Sequence, residues 1–389
     1  MAAARDFDIV VFGATGFTGE LTAAYLAEHA PAGCRWALAG RSTEKLEAVR
    51  TRLAALNPAC ADLALLKADV EQPDTIAAVA ASTKVVITTV GPYLQYGEPL
   101  VAACAAAGTD YVDLTGEPEF VDLMYVAHHA KAVETGARII HACGFDSIPH
   151  DLGAYFTVKK LPSGGKIDLR GVVRSGAQFS GGTFHSAMGA MSRQAQAKKA
   201  LSARRKAEGR PEGRKVRTVT GKPGRDPVLG YWLLPMPTID PLVVVRSAAA
   251  LPEYGPDFSY GHYAGLKTLR YTIGGSLAVG SMVVAANIPP LRNALKKRIK
   301  QGEGPSESRR AKSWFTVEFV GESGGTRIRT KVSGGDPGYT ETSKMLAESA
   351  LCLAFDTNPS TAGQVTTAHA MGDNLLARLQ DAGITFEVV

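Results

Sequence analysis

The chain is 389 residues long, 45% hydrophobic and 21% charged, with a formal charge of +6. A chain of that size and balance buries large cores and predicts two globular domains, which excludes a disordered or fibrous polypeptide. The charge is uneven: residues 193–225 carry twelve Lys/Arg against two Glu and residues 292–312 eight against two, leaving −10 for the rest, so two local basic surfaces are read and nucleic acid is not expected as a partner.

The cysteines Cys34, Cys60, Cys104, Cys143 and Cys352 form no C-x-x-C pair and the eight histidines no H-E-x-x-H, so neither a metal centre nor a disulfide framework is expected. Residues 1–8 hold Arg5, Asp6 and Asp8 but no apolar run; neither a secretory signal nor a membrane span is read there, and a cytoplasmic location is expected. Short apolar runs then alternate with helix-length segments. Strands are predicted at 8–12, 36–39, 63–68, 85–89, 111–114 and 138–141, with helices between them, those over 43–56 and 97–107 included. Six such alternations predict the α/β class, a doubly wound parallel Rossmann sheet over residues 1–150. Longer strands and turn-rich loops predict a second α/β domain with a mixed sheet over 151–335. In it "GRPEGRKVRTVTGKPGRDP" reads as a loop or hairpin, and 314–320 with 327–333 as a hairpin turned at 323–325. The amphipathic helix at 341–355 is expected to return, with the rest of 336–389, to the first domain.

In "FGATGFTG", Gly13, Gly16 and Gly19 follow the first strand and open the first helix. Glycines there let backbone N–H groups and the positive helix end hold a pyrophosphate. Residues Gly13, Ala14, Thr15, Gly16, Phe17, Thr18 and Gly19 are therefore predicted to cradle a dinucleotide, with a side chain at Gly13 expected to fill the phosphate position. The second strand ends in Gly40, Arg41 and Ser42, where an NAD site places an acid. A guanidinium and a hydroxyl suit a 2′-phosphate, which predicts NADP(H). Ser42 also reads as a helix cap, and Asp69 either as a contact on the adenine side or as a cap. Gly91 and Pro92 form a rigid turn for the nicotinamide-side ribose, and Tyr93 and Tyr96 bring phenols to the carboxyl end of the sheet. Asp113, Thr115 and Glu117 end the fifth strand. After the sixth come Phe145, Asp146, Ser147 and His150, with Pro149 at a helix start. Capping or domain packing is the alternative reading for each polar residue.

"FGATGFTG", "VGPYLQYGEPLVAACAAAGTDYVDLTGE", "CGFDSIPHDLG" and "GDPGYTETSKMLAESALCLA" together make the chain resemble the saccharopine dehydrogenase-like oxidoreductases, in particular their actinobacterial trans-acting enoyl reductase branch, over nearly its whole length. The resemblance implies an NADP-binding Rossmann domain, an inserted α/β domain, a cleft between them and reduction of lipid or polyketide intermediates. It supplies no catalytic residue.

The expected reaction is NADPH-dependent reduction of the α,β double bond of an acyl or polyketide chain, by analogy on a carrier-bound thioester. Such chemistry needs a hydrogen-bond donor for the enolate and a proton for the α carbon. Tyr93, Tyr96 and His185 are the candidate donors, with packing the alternative for His185; Asp146 and Ser147 are candidates to orient the nicotinamide amide. Two other readings stand: a C=N or C=O reductase of an amino-acid-like substrate, anchored by Arg174 or Arg246, and a non-catalytic NADPH-binding protein at a lipid surface. The charge-free stretch 271–291 reads as a core helix or an interfacial, acyl-contacting one rather than a span. Arg292, Lys296, Lys297, Arg298 and Lys300 follow it directly, so peripheral docking to an acidic acyl carrier or to anionic lipid, at the inner face of the plasma membrane, is expected. A homodimer is left open.

Overall fold

A strand with helices on both faces has no polar side to show, and β1 (Phe7–Phe12) behaves in this way. Ile9 and Val11 enter one core with Leu38, Val85 and Ile87, while Val10 and Phe12 enter a second with Ala37, Ala39 and Val86. The computed structural model describes residues 5–177, 181–298 and 304–389, without the side chains of 181–185 and 296–298. In it β1 to β6 alternate with helices and pair in parallel: β2 (Trp36–Gly40), β3 (Ala64–Lys67), β4 (Thr83–Thr88), β5 (Asp110–Asp113) and β6 (Arg138–Ile140).

The second sheet is mixed. It contains β7 (Lys166–Ser175), β8 (Lys215–Thr218), β9 (Gly224–Arg225), β10 (Trp232–Pro235), β11 (Asp257–Leu266), β12 (Phe315–Ser323) and β13 (Thr326–Gly334). β7 runs parallel to β11, and β12 and β13 form the expected hairpin, turned at Gly324 and Gly325, both with positive φ. The basic stretch 209–227 is not a hairpin: β8 adds to β11 in parallel and β9 pairs with β10, so each finds its partner in a longer strand instead of in the other.

Two C-terminal strands complete the sheets. β14 (Gly363–Val365) pairs beyond β6, giving the order β14-β6-β5-β4-β1-β2-β3, and β15 (Thr385–Val388) pairs with β13. Residues 336–389 thus serve both sheets rather than the first alone. The helix Thr340–Phe355, buried almost throughout, lies on the helix Phe17–His29 and on β4 and β5. Phe386 of β15 is instead buried with Val332 of β13. The helix Ile148–Val158 covers β12 and β13. Its Asp151, fully buried, accepts from the Ser247 and Thr367 hydroxyls and the Ala368 N–H, joining three helices at one carboxylate.

The helix Leu269–Asn287 departs from the core reading. Of its most apolar eighteen residues only 17% are buried.

Candidate functional site

The order in which strands are added to the first sheet reverses between β1 and β4, and the loops after these parallel strands meet at the switch point, where a doubly wound sheet takes its ligand. The three glycines divide the work. Gly13 has φ +88, and a β-carbon on it would lie 2.7 Å from Val90 Cγ2 and 2.9 Å from Thr89 Oγ1. A β-carbon on Gly19 would lie 2.2 Å from the Gly13 carbonyl oxygen, so that helix and strand touch only because no side chain intervenes. Gly16 alone faces open space, with nothing nearer than Gly13 O at 3.5 Å. The expectation for Gly13 is therefore corrected: its missing side chain makes room for the β4 loop, and of the three glycines Gly16 is the one with open space in front of its backbone. Gly16 also begins the helix Phe17–His29, whose N-terminus no side chain caps, leaving a positive end for the pyrophosphate. Ala14 and Thr15 belong to the loop. Phe17 turns its ring from it onto Tyr339, 4.9 Å away and edge-on, and the Thr18 carbonyl accepts from Ser343. The residues fit a dinucleotide through backbone and helix end rather than through side chains.

At the end of β2, Arg41 is exposed and has no ion-pair partner among the described residues. Ser42 caps the next helix by accepting from Lys45 N–H, which leaves its hydroxyl proton for a ligand. Asp69 accepts from Glu71 N–H in a local turn, half-buried.

The turn after β4 is built by a residue from elsewhere. Glu117, buried, accepts from the N–H groups of Tyr93 and Leu94 at 3.2 and 3.0 Å and from the Ser186 hydroxyl at 3.0 Å, which fixes Gly91, Pro92 and the short helix Tyr93–Tyr96. Tyr93 is corrected as a donor candidate: its buried hydroxyl donates to Thr88 O and accepts from Leu114 N, both at 3.2 Å, so it ties β4 to the β5 loop. Burial pushes that phenol well above its usual range. Tyr96 is half-buried and its oxygen accepts from the Gln95 amide, leaving its proton free. The side chain of His185 lies outside the described residues.

Asp113 organises the loops after β5 and β6. It accepts from the N–H groups of Thr115 and Ala142 and from Tyr111, and pairs with His141 at 2.7 Å, which holds Ala142 at φ +60. Phe145 N–H then reaches Thr342 of the C-terminal helix, and Ser147 turns its hydroxyl onto the Asp146 carbonyl, so Ser147 serves the backbone. Asp146 is different. It is half-buried and faces Gly116, where a β-carbon would stand 3.8 Å from its carboxyl carbon. Desolvation, with the negative charge of Asp240, raises it to about 7 against the opposing pull of His150.

Behind Asp146 lies a group absent from the sequence reading. Buried Asp240 stands 2.9 Å from His150 Nδ1 and 3.6 Å from His262 Nε2, the rings are 4.9 Å apart, and Tyr260 meets His262 Nδ1 at 3.2 Å. Burial would raise Asp240, but the two imidazoles overcome it and hold it at about 2; burial lowers His262 to about 4. The three polar residues come from a helix start, a second helix start and β11, so no spacing in the chain announces them.

The anchors of the amino-acid reading are engaged elsewhere. Arg246, lowered to about 10 by burial and by Arg204, pairs with buried Asp122. Arg174 donates to the Tyr231 hydroxyl at 2.8 Å and lies over the rings of Tyr231 and Trp314.

Comparison with known proteins agrees with this architecture. Residues 9–140 match the saccharopine dehydrogenase NADP binding domain. A trans-acting enoyl reductase of Mycobacterium tuberculosis is 39% identical over 98% of this chain and 97% of that protein, and one of Mycobacterium leprae 38% identical over 98% and 97%. The apo saccharopine dehydrogenase (L-Glu forming) of Saccharomyces cerevisiae, 12% identical, shares the fold with a TM-score of 0.56 over 98% of this chain and 100% of that one. By this similarity along its full length and its matching NADP binding domain, the chain belongs to the trans-acting enoyl reductases, NADP-dependent oxidoreductases on a saccharopine dehydrogenase-like fold.

Proposed function

We propose that the protein reduces the α,β double bond of an unsaturated acyl or polyketide thioester presented by a separate carrier or synthase. The relatives' name supports the reaction class, and one observation separates it from reduction of an amino-acid-like imine. Such a substrate brings carboxylates that need cationic anchors, and Arg174 and Arg246 are already spent on aromatic rings and on Asp122. Bound NADPH supplies the hydride. The chain's part is to stabilise the enolate oxygen and to protonate the α carbon. Tyr96 carries a free hydroxyl proton for the first task. Asp146, raised to about 7, holds a proton near neutral pH and gives it to the α carbon, becoming a carboxylate. The product gains one hydride and one proton across the former double bond.

The test is consumption of NADPH with a 2-enoyl thioester, on coenzyme A and on an acyl carrier, beside a 2-keto acid with an amine. Turnover with the thioester that falls about 100-fold or more in Asp146→Asn supports the reading; turnover only with the keto acid and amine rejects it.

A further inference from the structure

Among the described residues, the helix Leu269–Asn287 carries the largest run of exposed apolar side chains. Tyr271 and Leu277 are each 66% exposed, Ile273 54% and Val284 59%, and the apolar surface continues through Ile288 and Leu291. One strip of the helix is anchored. Thr272 and Ala286 are buried, a β-carbon on Gly275 would lie 3.3 Å from Leu234 of β10, and Asn287 reaches the Met191 carbonyl. A helix fastened along one side to a sheet cannot cross a bilayer, yet its other sides are too apolar for water.

Charge identifies what covers it. Every charged residue between Asp257 and Glu303 is Lys or Arg. Lys267 and Arg270 are exposed at the start of the helix, and Arg292 follows its end. Two copies meeting through this face would set like charges against each other, whereas an anionic bilayer offers hydrocarbon to the apolar side and phosphates to the flanking cations. We infer that this helix lies flat in the interface of an anionic lipid bilayer and holds the protein there as a peripheral protein. The helix Gly181–Ser192 packs against it and also gives Ser186 to Glu117, the carboxylate that shapes the β4 turn. Docking therefore holds the β4 turn to the lipid-bound helix through one intervening helix.

The experiment is flotation of the full protein with vesicles of phosphatidylcholine alone and of phosphatidylcholine with phosphatidylglycerol, at low and high salt. Three proteins are compared: the native chain, a Tyr271→Ser/Leu277→Ser variant, and a Lys267→Gln/Arg270→Gln/Arg292→Gln variant. Circular dichroism and NADPH affinity report that each is folded. Tyr271, Leu277, Lys267 and Arg270 are exposed, Arg292 is half-buried just past the helix end, and none of the five belongs to the glycine loop. The native protein should float with the phosphatidylglycerol vesicles at low salt and be released by high salt. The charge variant should bind these vesicles roughly a hundredfold more weakly, at about fivefold per cation, and the apolar variant should lose binding. A native protein that stays in solution at low salt, or variants that float equally well, overturns the inference. So does a dimer in sedimentation that the Tyr271→Ser/Leu277→Ser variant breaks, since a second copy would then be the cover, or a carrier-protein complex lost in the same variant.

Discussion

Asp146 is acidic chemistry tuned by neighbours it does not touch. Desolvation and Asp240 carry it to about 7, so a rate that depends on its proton falls as pH rises through that value. Replacing Asp240 with Asn removes the anion that disfavours ionisation; Asp146 then ionises at lower pH, and the descending limb of kcat should move down by roughly one pH unit. An unmoved limb in the pH profile of Asp240→Asn would separate Asp146 from the proton transfer. Arg41 gives a second residue-scale prediction. Its guanidinium is exposed, without an ion-pair partner among the described residues, at the strand end where a 2′-phosphate is expected, so Arg41→Ala should weaken NADPH by about 1.5–3 kcal/mol and leave NADH nearly unchanged, as read by titration with each nucleotide. The position of Arg41 at the end of β2 was legible because strand end and residue type are both local. Tyr93 was misread because what occupies its hydroxyl, Thr88 O and Leu114 N, belongs to backbone that pairs only after folding. The assembly of His150, Asp240 and His262 was not legible at all, since three distant elements supply it.

At the scale of elements, periodicity placed β1 to β6 to within two residues and the helix Thr43–Leu56 to its ends, because these parallel strands are short runs and all but β3 are largely buried on both faces. It missed β14, a three-residue strand whose only reason to be extended is the free edge of β6. It left the basic stretch 209–227 as a loop or hairpin, where β8 and β9 pair instead with β11 and β10, since turn residues signal a reversal without naming the partner strand. The element with the most to lose is the helix Ile148–Val158. Asp151 on it satisfies two hydroxyls and one N–H in the interior, and Asp151→Ala would strand all three. A loss of about 3 kcal/mol or more is expected, seen as a lower urea midpoint; a midpoint within experimental scatter of the native one would show that the three helices pack without it.

Across the whole molecule, two sheets share one C-terminal segment: the helix Thr340–Phe355 backs the cofactor sheet while β15 closes the other. The loops after β5 and β6 are fastened from outside the first domain, Phe145 to Thr342 of the C-terminal segment and Glu117 to Ser186 of the helix Gly181–Ser192. The two units and the returning helix are legible in the sequence but the split loyalty of the tail is not, because the alternation of Ile384, Phe386 and Val388 marks a strand without naming β13 as its partner. The charge-free segment was recognised as unusual, and its exposure became visible only when the rest of the fold left it outside. All of this positions one transfer, and the most direct measurement follows where the hydrogens go. With NADPH deuterated at C4 and a 2-enoyl thioester in ordinary water, mass spectrometry of the saturated product should show one deuterium at the β carbon and hydrogen from solvent at the α carbon. Deuterium at a carbonyl carbon with the double bond intact, or no transfer to the thioester at all, would contradict the assignment of this chain as an enoyl reductase.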